Sequence, residues 1–153
     1  MVELLPIDRS GSVALPTLRL PEFMRQNCSA TASFYEVVGF HPPWIGYVSI
    51  AHGQPVGGGG FKGPPVNDTV EIAYYTLPGL EGRGWATATA RKLIGIAAAA
   101  APEIVVVAQT LPQQNASTAL LKKLGFELQG SVMHPEDGEV WEWRIETRQQ
   151  QGP

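Results

Sequence analysis

The chain has 153 residues, enough for one domain with its own core. Apolar residues make up 44% and charged residues 16%, a balance that argues against intrinsic disorder. The net charge of −3, with no Lys/Arg cluster, argues against nucleic acid as a direct partner, because phosphate-backbone binding needs a basic surface.

In chain order, residues 1 to 20 mix Leu, Ile and Val with Pro6, Gly11 and Pro16, and a short first strand is expected around Leu15 to Leu20. Pro21 to Gln26 can open a helix, with proline in its first turn. Ser29 to Val38 is helix-compatible, with Phe34, Val37 and Val38 on one face and Gly39 as the stop. Trp44 to Ala51 reads as a strand, His52 to Pro55 as a turn, and Val56 to Phe61 as the returning strand of a hairpin. Four consecutive glycines, Gly57 to Gly60, imply a bulged or close-packed strand; no Gly-Lys-Ser/Thr follows to make a phosphate loop.

Thr69 to Thr76 alternates as a strand, with Glu71, Ala73 and Tyr75 on one face and Ile72, Tyr74 and Thr76 on the other. Gly84 to Ala101 predicts a helix with an apolar stripe of Ala86, Ala90, Leu93, Ile94 and Ala97, ended by Pro102. Ile104 to Ala108 is a short β-branched run expected as a buried strand. Asn115 to Leu124 predicts a second helix, Leu120, Leu121 and Leu124 inward, closed by Gly125. Phe126 to Met133 and Glu139 to Ile145 are two strands joined through the turn-forming Pro135-Glu-Asp-Gly138. Residues 1 to 147 form a single domain in this reading, and 148 to 153 a frayed tail.

The chemistry concentrates at Leu77-Pro-Gly-Leu-Glu-Gly-Arg-Gly-Trp-Ala86, between a strand and a helix. A glycine-rich turn at a helix start offers free backbone N–H groups and the positive end of the macrodipole, a place for phosphates. The other candidate groups are sparse. His41, His52 and His134 lack ligand spacing, so no metal is expected. Cys28 stands alone, which excludes an internal disulfide and suits a reducing cytosol; a buried, neutral thiol is the expected state. No apolar run reaches membrane-spanning length and no signal-peptide pattern opens the chain, so a cytoplasmic protein off the membrane is expected.

The segments Trp44-Ile-Gly-Tyr47, Val70-Glu-Ile-Ala-Tyr74, Glu81-Gly-Arg-Gly-Trp-Ala86 and Ser117 through Leu124-Gly-Phe126 resemble, in order and spacing, the GNAT superfamily of acyl-CoA-dependent N-acetyltransferases. Within it they are similar to the branch of ribosomal-protein N-terminal acetyltransferases. The resemblance implies an α+β (mixed α/β) domain. Its central mixed sheet has about six to seven strands, splayed at an acyl-CoA site, with about four flanking helices. It also implies that acetyl-CoA is the co-substrate and that backbone amides of Gly82, Arg83, Gly84, Trp85, Ala86 and Thr87 hold the pyrophosphate. Glu81 replaces the family's Gln or Arg there. Tyr74, Tyr75 and Thr76 would lie along pantetheine as a pseudo-strand. The family's frequent tyrosine acid falls on Leu121. The Asn-x-x-Ser alternative supplies Ser117, with Gln114 and Asn115 as the two candidate pantetheine-binding amides.

Amine acetylation needs a base, an oxyanion donor and a partner for the departing thiolate. Glu71 is the candidate base, acting through water, against a reading in which it only orients the acceptor or pairs with a nearby arginine. A backbone N–H near Tyr75 or Thr76 would hold the oxyanion. Ser117 is the candidate thiolate partner, against a reading as a helix cap. The expected reaction is acetyl transfer to a primary amine, on a small molecule or a protein N-terminus, by direct attack in a ternary complex. The subunit is expected as a monomer or homodimer.

Two other readings compete. A non-catalytic acyl-CoA-binding module draws on Glu81 and Leu121. A Rossmann-like domain needs a third glycine, but Thr87 stands at that place. The segments of the family's acceptor groove carry Glu22, Glu36, Glu136, Asp137 and Glu139 against Arg25 alone, which predicts a cationic acceptor.

Overall fold

The computed structural model describes residues 1–14 and 19–147. Ten elements follow in chain order: β1 (Glu3–Pro6), α1 (Glu22–Val38), β2 (Gly46–Ala51), β3 (Gln54–Phe61), β4 (Thr69–Thr76), α2 (Trp85–Ala100), β5 (Val105–Thr110), α3 (Ala116–Leu124), β6 (Glu127–His134) and β7 (Gly138–Glu146). The strands form one seven-stranded mixed sheet in the order β1-β2-β3-β4-β5-β7-β6. Only β4 and β5 run parallel, and α2 is the crossover between them.

Helices cover both faces. On β2, Val48 and Ile50 pack against Met24 and Cys28 of α1. Ser49, between them, points the other way and hydrogen-bonds Thr89 of α2 at 2.7 Å. Leu93, Ile94 and Ala97 of α2, with Leu121 and Leu124 of α3, close the main core over Val70, Ile72, Val106 and Trp143.

The quartet Gly57 to Gly60 lies in β3, between β2 and β4. A Cβ on Gly58 would stand 2.7 Å from the Tyr47 carbonyl oxygen and 2.9 Å from the Tyr75 ring; one on Gly59 would stand 3.0 Å from Leu93. The close-packed reading therefore holds, and the register shift in this hairpin falls opposite, between Ser49 and Ile50.

Several expectations need correction. The described residues hold three helices rather than about four, because Pro21–Gln26 and Ser29–Val38 are one continuous α1 with Pro21 as its N-cap. Its buried face is Met24, Cys28 and Tyr35. Val37 instead faces solvent, at 83% exposure, and Phe34 is left partly exposed, at 37%. The expected strand over 15 to 20 falls mainly on residues outside those described, and the first strand observed is Glu3–Pro6. The expected tail, 148 to 153, also lies outside them. Gly39 does end α1, at φ 91°, its N–H bonded to the Tyr35 carbonyl.

Candidate active site

The site begins where strand pairing stops. β4 pairs with β3 over its second half, from Ile72 to Thr76. Its parallel pairing with β5 runs only from Thr69 to Ile72, opposite Val105 to Ala108. β5 continues through Gln109 and Thr110 in partnership with β7. The two central strands therefore part after Ile72, and one edge of Ala73 to Thr76 opens into a gap with unsatisfied ladder positions. This is the splay that the sequence led us to expect.

Two clefts adjoin the gap. The smaller, about 320 Å³, lies between the diverging strands and is lined by Glu71, Tyr74, Thr110, Ser117 and Asp137, among others. The larger, about 690 Å³, runs over β2, β3 and β4 beneath α1 and is closed at one end by the β6–β7 turn. Lys62, Ala73, Tyr74 and Asp137 line both, so the clefts meet at these residues. The structure thus brings Glu71 of β4 and Ser117 of α3 to one cavity although 46 positions separate them in sequence.

Glu71 carries a partner that the sequence reading missed. Lys62 follows β3 and donates its backbone N–H to the Glu71 carbonyl at 2.8 Å, which makes the two a cross-strand pair. The Lys62 ammonium lies 2.8 Å from Glu71 Oε2. That oxygen is buried with no hydrogen-bond partner among the described residues, so the nearby ammonium is what compensates its charge there. The strand register, Phe61 opposite Ile72, continues one step to set Lys62 opposite Glu71.

Ser117 lies in the exposed first turn of α3, and it is not the cap. Asn115 is the N-cap, its side chain accepting from the Thr118 N–H at 3.1 Å. The Thr118 hydroxyl accepts from the Asn115 N–H in return, at 2.9 Å. The Asn115 amide oxygen is thereby engaged in the cap, and the Gln114 amide oxygen accepts from Lys122 at 3.2 Å. Leu121 is fully buried in the core, which places no acid at that position.

Tyr74 and Tyr75 point to opposite faces of β4. Tyr74 packs on the α2 side of the core, and Tyr75 packs with Met24 and Cys28, its ring 5.8 Å from Phe23. Burial pushes the Tyr74 phenol up to about 12 and raises Tyr75 further, so both are neutral hydroxyls. Burial also raises the Cys28 thiol, in keeping with an unreactive side chain inside α1. Trp141 and Trp143 share one face of β7 and pack with the main core, and the Trp143 indole N–H donates to the hydroxyl of Thr110, a lining residue of the smaller cleft, at 3.0 Å.

The glycine turn leads into α2. Gly84 is the N-cap in a left-handed conformation, at φ 84°, and no side chain caps the helix. Gly82 is also at positive φ, 79°, and nothing lies within 4 Å of a Cβ built at either position. The first-turn amides of Trp85, Ala86 and Thr87 therefore lack side-chain acceptors, and the glycines leave the approach clear. The Glu81 carboxylate is engaged by the Gly79 N–H at 2.6 Å. Arg83 is exposed.

Residues 19–127 match the family model of the acetyltransferase (GNAT) domain. The chain belongs to the GNAT acetyltransferase family. Its enzyme class is therefore N-acetyltransferase, and the splayed β4–β5 pair is the family's fold in this chain. The fold is shared with RimL, a ribosomal-protein alpha-N-acetyltransferase solved with coenzyme A. The TM-score is 0.70 at 16% identity, over 96% of this chain and 94% of that one. An N-acetyltransferase from Staphylococcus aureus aligns at TM-score 0.62 and 18% identity, over 80% of this chain and 77% of the other. An aminoglycoside acetyltransferase in complex with coenzyme A aligns at 0.58 and 20%, over 67% and 65%. At these identities the structural likeness establishes the fold. Among curated proteins none matches in sequence. No helix of the described residues is long and apolar enough to cross a membrane, and no group of three potential metal ligands occurs among them.

Proposed function

We propose that this GNAT protein moves an acetyl group from acetyl-CoA to a primary amine, by direct attack within a ternary complex. The observation that carries the reading is the gap between β4 and β5, which gathers Glu71 and Ser117 beside an unpaired strand edge. Acetyl-CoA supplies an activated acyl thioester. Structural neighbours solved with coenzyme A support that choice of donor.

The residues present fit such a donor. The uncapped amides from Gly82 to Thr87 suit a pyrophosphate, because the anion gains both N–H donors and the helix dipole. The open edge of Tyr74, Tyr75 and Thr76 suits the amide groups of pantetheine, which can bond it as a neighbouring strand would. Gln114 or Asn115, beside the start of α3, would bind the same arm through its amide. The Glu81 carboxylate, engaged by the Gly79 N–H, weakens phosphate binding less than a free carboxylate would.

In this reading the amine enters from the larger cleft. Glu71, through water, takes the proton that the amine must lose. A backbone N–H at Tyr75 or Thr76 holds the carbonyl oxygen as charge develops on it. The Ser117 hydroxyl donates to the departing sulfur. Lys62 keeps the Glu71 side chain in place until an acceptor arrives.

The test is a thermal shift with acetyl-CoA, CoA and NAD⁺ in parallel, followed by thiol release with an amine panel. Stabilisation by the first two alone, and turnover that Glu71→Gln lowers by about 10²-fold or more, is the expected result. CoA binding without turnover of any amine would instead identify an acyl-CoA-binding module. Stabilisation by NAD⁺ alone would refute the donor site.

A further inference from the structure

The larger cleft is chemically divided. Along most of its wall the polar groups are already satisfied within the protein. The Tyr35 hydroxyl donates to the Ile7 carbonyl and accepts from the Gly46 N–H, both at 2.9 Å. The Tyr47 hydroxyl donates to the Pro43 carbonyl at 2.7 Å, and the Thr31 hydroxyl to the Asn27 carbonyl at 2.8 Å. The Asn27 amide N–H donates to the Phe23 carbonyl at 3.0 Å. What this wall offers a ligand is therefore mainly ring faces and carbon: Phe34, Phe61, Ile7 and Ala30, with the rings of Tyr35 and Tyr47.

The charged groups are confined to one end. Among the described residues lining this cleft, the only ionisable side chains besides tyrosines are Lys62, His134, Glu136 and Asp137. His134 Nδ1 accepts the backbone N–H groups of Glu136 and Asp137, at 3.1 and 3.2 Å, and so shapes the turn that carries both carboxylates. With Glu71, that end holds three carboxylates against one ammonium. One of those carboxylates already has an ammonium 2.8 Å away, that of Lys62. The volume, about 690 Å³, falls in the range of small-molecule sites, which are apolar with a few polar groups fixing orientation.

Resting on the acetyltransferase reading above, we propose that the acceptor is a small monoamine with an apolar body. Its ammonium takes the place of the Lys62 ammonium beside Glu71, and its body lies along the ring-lined wall under α1. Glu136 and Asp137 draw the cation to that end. The distant wall presents no carboxylate among the described residues, so a second or third ammonium there would lose its water without compensation. Of the acidic residues expected to draw a cation, Glu136 and Asp137 line the cleft, and Glu22, Glu36 and Glu139 do not.

A series of straight-chain n-alkylamines, from propylamine upward, tests this against spermidine and a short peptide with a free N-terminus. The thermal shift with CoA is recorded on the same samples. The expected result is kcat/KM rising about three- to fourfold per added methylene until the cleft is filled, the gain of burying one CH₂. Phe34→Ser, a change on the exposed rim, should flatten that slope while leaving the CoA shift and Tm unchanged. Spermidine or the peptide turned over faster than every alkylamine overturns the inference, as does a flat series. A CoA shift with no alkylamine turnover overturns it and leaves the donor site standing. Loss of the CoA shift itself overturns the acetyltransferase reading and this inference together.

Discussion

Lys62 and Glu71 show how a single side chain can be both positioned and restrained. The Glu71 carboxylate is only 23% exposed, and an isolated buried charge would be costly; the lysine at 2.8 Å offsets that cost. In the reaction proposed above, the same contact lies where the substrate ammonium would sit. Glu71→Gln preserves shape and removes the proposed base, so kcat should fall by about 10²-fold or more. The CoA thermal shift should stay at its wild-type value; steady-state thiol release reads the first arm and the melting curve the second. Ser117 makes a different prediction because it is not the helix cap. Ser117→Ala should lower kcat roughly tenfold, one hydrogen bond to the leaving sulfur, without moving Tm. Asn115→Ala removes the capping box and should cost about 1 kcal/mol in denaturant unfolding. If Ser117→Ala were as destabilising as Asn115→Ala, Ser117 would be structural. Glu71 and Ser117 were legible as candidates because a resemblance pointed at their positions. The Lys62 contact was hidden because it depends on register across a loop, from Phe61 to Thr69, rather than on local sequence.

At the scale of elements, local chemistry was a good guide wherever one face dominated the pattern. β4 spans Thr69–Thr76, as its alternation predicts, and α3 starts and stops at Asn115 and Gly125. α1 was misread because two periodic faces compete along it. Phe34, Val37 and Val38 are the more hydrophobic set, while Met24, Cys28 and Tyr35 form the face that packs. The buried face extends across Cys28, where the expected helix was broken, so the longer period was invisible. β3 is the reverse case: four glycines read as weak strand formers, and tertiary packing keeps them in the sheet. With Gly58 facing Tyr47 and Tyr75 at under 3 Å from any added Cβ, Gly58→Ala is overpacked. It should lose about 1–3 kcal/mol of stability by denaturant titration. Gly95, on an open helix surface with nothing within 4 Å, is the control: Gly95→Ala should be neutral or stabilising.

For the molecule as a whole, the burial that builds the cleft also sets a limit in alkali. All four tyrosines of the chain lie in or beside the clefts, and all four phenols are raised by burial. Tyr47 and Tyr74 each rise from the ordinary 10.0 to about 12. In the unfolded chain these phenols ionise near the ordinary value, whereas in the folded chain they stay neutral until well above it. Between the two, the unfolded state binds fewer protons and is favoured as pH rises. Their contribution to stability is therefore complete below pH 10 and is lost progressively as pH climbs toward 12. Tm should stay level up to about pH 10 and then fall by several degrees, with phenolate absorbance appearing at the unfolding transition rather than before it. Tyr74→Phe should soften the decline. Its hydroxyl titrates in the unfolded chain and has no protein partner among the described residues, so removing it deletes one linked proton and little else. A phenolate signal that rises well below the transition would mean that water reaches these rings in the folded protein. The apolar wall beneath α1 would then be wetter than the packing of Tyr35, Tyr47 and Tyr75 implies.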